Sequence, residues 1–301
     1  MSIIEDLKLQ YKAGGITQQL IFWNIGLFAV PMILFSLLTL FNIDVSFLRW
    51  DLRTTTDWLS LSSDAYDLLW KPWSIITYAF LHANFLHILF NMLVLYFSGR
   101  IFLTFFTQKQ FFGLYILSAV FAGFVFIISY NTLPFLTINN HASKMVGASA
   151  AIMALLIASA VYTPHYQVRL FLFGIVKLWH IAAVLIILDL IQVSAENTGG
   201  HLAHLAGAFF GFIYIKLLKN GTDLTKGVTS VIVFFENLFK VKKSTPFKKV
   251  YKNADSSYTS AKNIDKSFTQ KQIDDILDKI SKSGYDSLTK EEKEFLFKAS
   301  K

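Results

Sequence analysis

Residues 147–162 read GASAAIMALLIASAVY. From Ser149 onward this apolar stretch offers 14 residues, which at 1.5 Å per residue reach about 20 Å. A bilayer's hydrocarbon is roughly 30 Å thick. If the stretch is a membrane span, the missing length has to come from irregular chain dipping into the bilayer. Such backbone is tolerated at that depth only where protein shelters it or it lines a wet cavity. Residues 131–146, with their Pro, Asn and His, are the expected loop, and the expected cavity lies beside them.

The sequence on both sides agrees with a membrane setting. Runs of about 20 apolar residues occur at 20–41, 78–100 and 111–130 before the short span, and at 171–193 and 201–219 after it. The chain of 301 residues is 54% hydrophobic and 16% charged, with 30 Phe, against about 45–50% and about 25% in an average soluble chain. Disorder and collagen are excluded by the same figures. With no Cys, structural disulfides, Cys-based zinc sites and thiol nucleophiles are excluded too. A nucleophile has to be an alcohol, an amine or a carboxylate. The expected architecture is an all-α polytopic membrane protein, a bundle of six transmembrane helices with a short fourth span and a small helical tail.

Charge orients it. Lys8 and Lys12, Arg100 and Lys109, Arg169 and Lys177, and Lys216 and Lys219 all fall on one side of a six-span chain, so that side, with both termini, is expected to be cytoplasmic. The opposing loop 42–77 carries Arg49, Arg53 and Lys71 among five Asp, with Trp50, Trp58, Trp70 and Trp73 as interface anchors. The first span is expected to be retained, since its apolar stretch is too long for a signal peptide and no small-x-small site follows. The expected organisation is a cytoplasmic N-terminus over 1–19, a six-span domain over 20–219, an interfacial segment and basic linker over 220–268, and a helical tail over 269–301. Of the net charge of +8, +7 lies in residues 216–301, where 18 Lys meet 11 acids. Whether that tail binds anionic lipid or a protein partner is left open; membrane lipid is an expected partner of the chain and nucleic acid is not. Within it, Ile273, Ile276, Leu277 and Ile280 share a helix face, Gly284 punctuates, and Thr289 with Glu292 forms a capping box.

Polar residues inside spans cost free energy and are functional candidates by default. They cluster as His82, Asn84, His87 and Asn91; as Gly147 and Ser149; and as His201, His204, Gly207 and Gly211. Asp189 stands apart, near the outer end of its helix, hydrogen-bonded or reaching water, with a role in gating left open. Ser149 opens the short helix, where free N–H groups can donate to a developing oxyanion. The alternative is a small-residue surface, Gly147, Ala148, Ala150, Ala151 and Ala154, that merely lets helices approach. His204 shares a face with Gly207 and Gly211 at i+3 and i+7, and such a face packs closely. This would let an imidazole reach within about 3 Å of the Ser149 hydroxyl; the alternative is a histidine hydrogen-bonded within the bundle. His87 and Asn91, at i and i+4, can aim two donors at one oxygen, or can tie helices together.

At these residues the chain resembles the rhomboid intramembrane serine proteases. The segment His82-Ala-Asn-Phe-Leu-His87-Ile-Leu-Phe-Asn91 is similar to the family's HxxxxHxxxN pattern, Gly147-Ala-Ser149 to its GxS motif, and Ala203-His204-Leu-Ala-Gly207-x3-Gly211 to its AHxxGxxxG. The resemblance implies six helices around a water-accessible site, Ser149 as nucleophile, His204 as general base and acid, and no third triad member. It implies an oxyanion site of His87, Asn91 and the Ser149 N–H, with Gly147, Gly207 and Gly211 as structural motif residues. It further implies hydrolysis of peptide bonds in or near transmembrane helices of substrate proteins, without cofactor or metal. Ala150 replaces a usual Gly, Met153 a frequent Tyr, and Trp70-Lys71 and Trp73-Ser74 stand where many members carry Trp-Arg. The tail is similar to those of some bacterial members, so a bacterial inner membrane is the expected location. Two alternatives remain: a catalytically inactive relative that binds transmembrane helices, and a metalloprotein or metal transporter using His82, His87, His201 and His204.

Overall fold

The computed structural model describes residues 2–43, 57–138, 143–170, 174–194, 197–239 and 260–299. Arg49, Trp50, Arg53 and His141, and most of the expected linker, lie outside the described residues. The chain forms two units, Met1–Lys240 and Val241–Lys301.

In the first unit, α1 (Ile3–Ala13) opens on a capping box between Ser2 and Glu5, and α2 (Gly15–Leu40) is the first span. Most of α2 faces outward, with Val30, Ile33 and Leu37 exposed, as befits a lipid-facing helix. The loop after it forms a short strand, β1 (Leu61–Ser62), and two single turns, α3 (Asp67–Trp70) and α4 (Ser74–Thr77). The second span was expected from residue 78, but α5 runs Phe85–Phe105. Residues 78–80 form instead a 3-10 turn. Tyr78 donates its hydroxyl to the Ala119 carbonyl at 2.7 Å, and Tyr115 donates to that of Ala79 at 2.9 Å. The apolar character of this segment thus reflects burial within protein, not a helix crossing lipid.

α6 (Gln108–Thr132) begins with a Thr107–Gln110 capping box, and α7 (Pro134–Ile138) turns the chain toward β2 (Lys144–Met145). β2 pairs antiparallel with β1, Leu61 opposite Met145, while Lys144 forms an ion pair with Asp57. α8 (Ser149–Tyr162) is the short helix, with the 14 residues expected. The fifth span, expected from 171, is shorter: α9 runs Leu178–Gln192. Ahead of it β3 (Gln167–Leu170) and β4 (Gly174–Lys177) form an antiparallel hairpin, Val168 opposite Val176. Gly174 takes φ +70, a left-handed conformation that suits glycine and that a continuing helix would not contain. α10 (Thr198–Lys219) and α11 (Thr225–Phe239) complete the unit. Thr225 packs against Gly113 of α6, and Gln110 donates to Asp223 at 3.1 Å.

Among the described residues four helices, α2, α5, α6 and α10, are long and apolar enough to cross a membrane, and α8, α9 and α11 hold shorter apolar helices. The protein is a multi-pass integral membrane protein built as an all-α bundle. Its centre is α8, in which every residue from Ala150 to Ala160 is buried. α10 packs along it through Gly207 and Gly211. A Cβ on Gly207 would collide with the Ala150 carbonyl, and one on Gly211 with the Ala154 carbonyl. Glycine four residues apart on one helix therefore meets alanine four apart on the other, and the backbones touch.

In the second unit, α12 (Ser260–Ser283) starts inside the expected linker, and Gly284 at φ +76 leads through a 3-10 turn to α13 (Lys290–Ala299). Of the four residues expected on one face, Ile276 is buried, with Leu288 also buried, while Leu277 is exposed; the apolar face is narrower than the pattern implies.

Candidate active site

The site begins with Gly147. Its φ of +135 suits glycine, and a Cβ there would also sit 3.0 Å from the His87 ring. Its N–H donates to the Tyr78 carbonyl at 2.9 Å, which ties the loop before α8 to the buried turn before α5. Ser149 then stands as the first helical residue. The first helical hydrogen bond is donated by Ile152, to the Ala148 carbonyl at 3.0 Å, so the N–H groups of Ser149, Ala150 and Ala151 precede the helical ladder, and helix geometry leaves them free to donate.

His204 reaches Ser149 because Gly207, one turn further along α10, lets the two helices close. The hydroxyl of Ser149 and Nε2 of His204 are 2.6 Å apart. The other ring nitrogen, Nδ1, is 2.9 Å from Oδ1 of Asp189 on α9. His201, one turn earlier on α10, brings its Nδ1 to 2.8 Å from the same oxygen. Asp189 is 6% exposed, so the carboxylate does not reach for water as one expectation had it; it faces two imidazoles.

His87 lies in the first turn of α5, where the Asn84 side chain accepts its N–H at 2.9 Å. Asn84 is thus a helix cap at the rim of the site, since it also lines the cavity that holds the site. The backbone N–H of Ala83 donates to His87 Nδ1 at 3.3 Å. That bond leaves the ring proton on Nε2, the atom beside Gly147, where it can serve as a donor. Asn91, one turn on, is buried at the same cavity. The His82 ring packs edge-on against His87 at 5.1 Å, and its nitrogens have no protein partner among the described residues.

Ser149, His204, His87, Asn91 and Asp189 all line one cavity of about 820 Å³, within the roughly 300–1,000 Å³ of typical ligand sites. Met153 lines it as well. Between α5 and α9 its walls are apolar, with Phe90 on one side and Leu188 on the other, both substantially exposed on the outer surface of the bundle.

Asp189, His201 and His204 also form a cluster of metal-ligating groups, their donor atoms within 4.8 Å of one another. Two ring N–H groups donating to one carboxylate oxygen account for that convergence without an ion. The link from Asp189 to His204 is what sequence reasoning missed. The available signal was that Asp189 is the only acid inside the spans and that His201 and His204, at i and i+3, share a helix face.

Comparison with known proteins gives three findings. A family profile described as Rhomboid domain matches residues 69–220, half of the chain. A second, described as a family of unknown function (DUF6576), matches residues 256–301. Rhomboid protein 1, mitochondrial, of Saccharomyces cerevisiae is 32% identical over 143 residues, covering 47% of this chain and 40% of the yeast protein. The chain therefore matches less than half the length of that relative.

Proposed function

The chain belongs to the rhomboid family, and on that premise we propose that it is an intramembrane serine endopeptidase that hydrolyses peptide bonds in or near the transmembrane helices of membrane protein substrates. The observation that carries this reading is the 2.6 Å contact between the Ser149 hydroxyl and His204 Nε2, at a helix start and inside a cavity that opens between two helices.

The chemistry follows from the arrangement. A substrate helix enters between α5 and α9 and unwinds, presenting a carbonyl to Ser149. As Oγ bonds to the carbonyl carbon, His204 Nε2 takes the hydroxyl proton. The carbonyl oxygen becomes an oxyanion and meets the Ser149 N–H, His87 Nε2–H and the Asn91 amide. Each such donor is worth about 2.7–4 kcal/mol in related chemistry, because it is aimed at charge that exists only in the transition state. The proton then passes from Nε2 to the leaving amine as the C–N bond breaks. Water reaching His204 is deprotonated in turn and hydrolyses the acyl-enzyme. We place both termini on the cytoplasmic side from the Lys and Arg near the span ends, so that the Ser149 end of α8 opens outward, and the membrane as a bacterial inner membrane from the likeness of the tail to those of bacterial members.

The test is labelling of the purified, detergent-solubilised protein with a serine-reactive fluorophosphonate, together with cleavage of a model transmembrane substrate. Wild type should label and cleave, and both Ser149→Ala and His204→Ala should lose both activities. A folded wild type that does neither, across several substrates, would reduce the protein to a helix-binding relative without catalysis.

A further inference from the structure

Among the described residues, the Ser149–His204 pair leaves one buried acid, Asp189, unused. We infer that Asp189 is a positioning residue for His204, making the site a set of three residues in which a carboxylate from α9 orients the base on α10. The inference rests on the serine-protease reading and extends it.

Three observations converge. The Asp189 Oδ1 to His204 Nδ1 distance is 2.9 Å, while the opposite nitrogen of the same ring is 2.6 Å from Ser149 Oγ. A carboxylate can only accept, so His204 donates to it through Nδ1–H, and Nε2 is left with the bare lone pair that a base requires. Asp189 is buried, in a segment where an acid is costly. A second bond to the same oxygen, from His201 at 2.8 Å, helps to fix the carboxylate. Among the described residues, the ionisable groups bonded to Asp189 are His201 and His204, both from α10; His87 of α5 and Lys144 of β2 line the same cavity.

During attack, the Ser149 proton moves to Nε2 while the Oγ–C bond forms and the carbonyl π pair moves to oxygen. The Nδ1 proton stays on the ring and Asp189 keeps its charge. What the carboxylate contributes is the correct tautomer before the transfer and a counter-charge for the imidazolium after it.

The experiment uses the full chain in detergent and measures kcat and KM for a transmembrane substrate, the fluorophosphonate labelling rate, and the melting temperature. Asp189→Asn keeps the shape and can still hydrogen-bond both histidines, so a purely structural role would survive it. The amide also offers N–H to Nδ1 and so favours the wrong tautomer. Expected is a fall in kcat and labelling rate of about 10²–10⁴-fold, with KM within about threefold and melting unchanged. Asp189→Glu, which restores the charge, should recover about tenfold of that loss. An Asp189→Asn protein that is folded and labels and cleaves within about threefold of wild type, or that changes KM alone, overturns the inference.

If Asp189→Asn does not fold, ¹⁵N-histidine NMR of the wild-type protein decides. The His204 signal, assigned by its loss in His204→Gln, should show Nδ1 protonated and Nε2 bare. The reverse tautomer refutes the role. A wild type that neither labels nor cleaves refutes the protease reading instead, while the tautomer still reports on the Asp189 contact.

Discussion

α5 in the membrane bundle and α13 in the tail begin with the same device, a polar side chain closing the first turn, yet the two surroundings use it differently. Asn84 accepts the N–H of His87 at 2.9 Å, and the residue whose backbone it holds carries a donor for the proposed oxyanion. Thr289 accepts the N–H of Glu292 at 3.2 Å while the Glu292 carboxylate accepts from Thr289 at 2.8 Å and from Lys279 Nζ at 2.9 and 3.0 Å. The bundle's geometry is enforced mainly by missing atoms, such as the Cβ positions of Gly147, Gly207 and Gly211. That of the tail is held by solvated charge and a few apolar residues. A change in the first should therefore be felt as loss of catalysis, and one in the second as local fraying.

The sharpest way to break this contrast is Gly207→Leu. A Cβ there meets the Ala150 backbone, which no rotamer change can relieve, so the cost should lie at or above the upper end of the roughly 1–3 kcal/mol seen for overpacking. Because Ala150 follows Ser149, parting the helices also parts the Ser149 and His204 side chains. Cleavage should fall by more than about 100-fold and the melting temperature should drop. Gly227→Ala, within α11 where a Cβ would meet nothing within 4 Å, is the control and should leave cleavage unchanged and the melting temperature equal or slightly higher. An active, stable Gly207→Leu would mean that the seam is looser than its geometry.

Asn84→Ala should have a middle-sized effect. Losing an N-cap typically costs about 1 kcal/mol. Here the freed turn carries His87, so kcat should fall several-fold with little change in KM. Thr289→Ala removes the corresponding cap in the tail and should leave cleavage rates alone. Equal effects of the two variants on cleavage would erase the distinction between a cap that positions chemistry and one that only starts a helix.

The parts of this structure legible in the sequence are those fixed by requirements on single residues. The start of α8 at Ser149 follows from a glycine-bearing loop meeting an apolar run, and the α8–α10 contact from small residues four apart, which is why the sequence alone pairs Ser149 and His204 as candidates. The start of α5 was misread by seven residues, and that of α9 likewise. Hydropathy cannot separate Tyr78–Phe80, a turn buried in protein, or Gly174–Lys177, an edge of a hairpin, from helix in lipid. The Asp189–His204 contact was hidden for another reason. It depends on how α9 is rotated toward α10, which is set by packing and leaves no periodic trace.

The smallest expected effect belongs to Glu292. Its bonds to Lys279 first, and to the Thr289 backbone next, hold its carboxyl below the ordinary value of 4.5. A carboxyl whose folded pKa is depressed stabilises the fold fully above the unfolded value and loses that contribution as pH falls from about 4.5 through the lower folded value. The α13 amides of the full chain should therefore exchange faster with deuterium at pH 3 than at pH 6, after correction for intrinsic rates, and Glu292→Gln should remove most of the difference. Because the pair is solvated, added salt should shrink it as well. The bundle offers the opposing case: amide protection at the Gly211–Ala154 end of the α8–α10 seam, away from Asp189, His201 and His204, owes nothing to an ion pair and should show no step in that pH window. A step of equal size in both regions would mean that charge, not close approach, holds the bundle too.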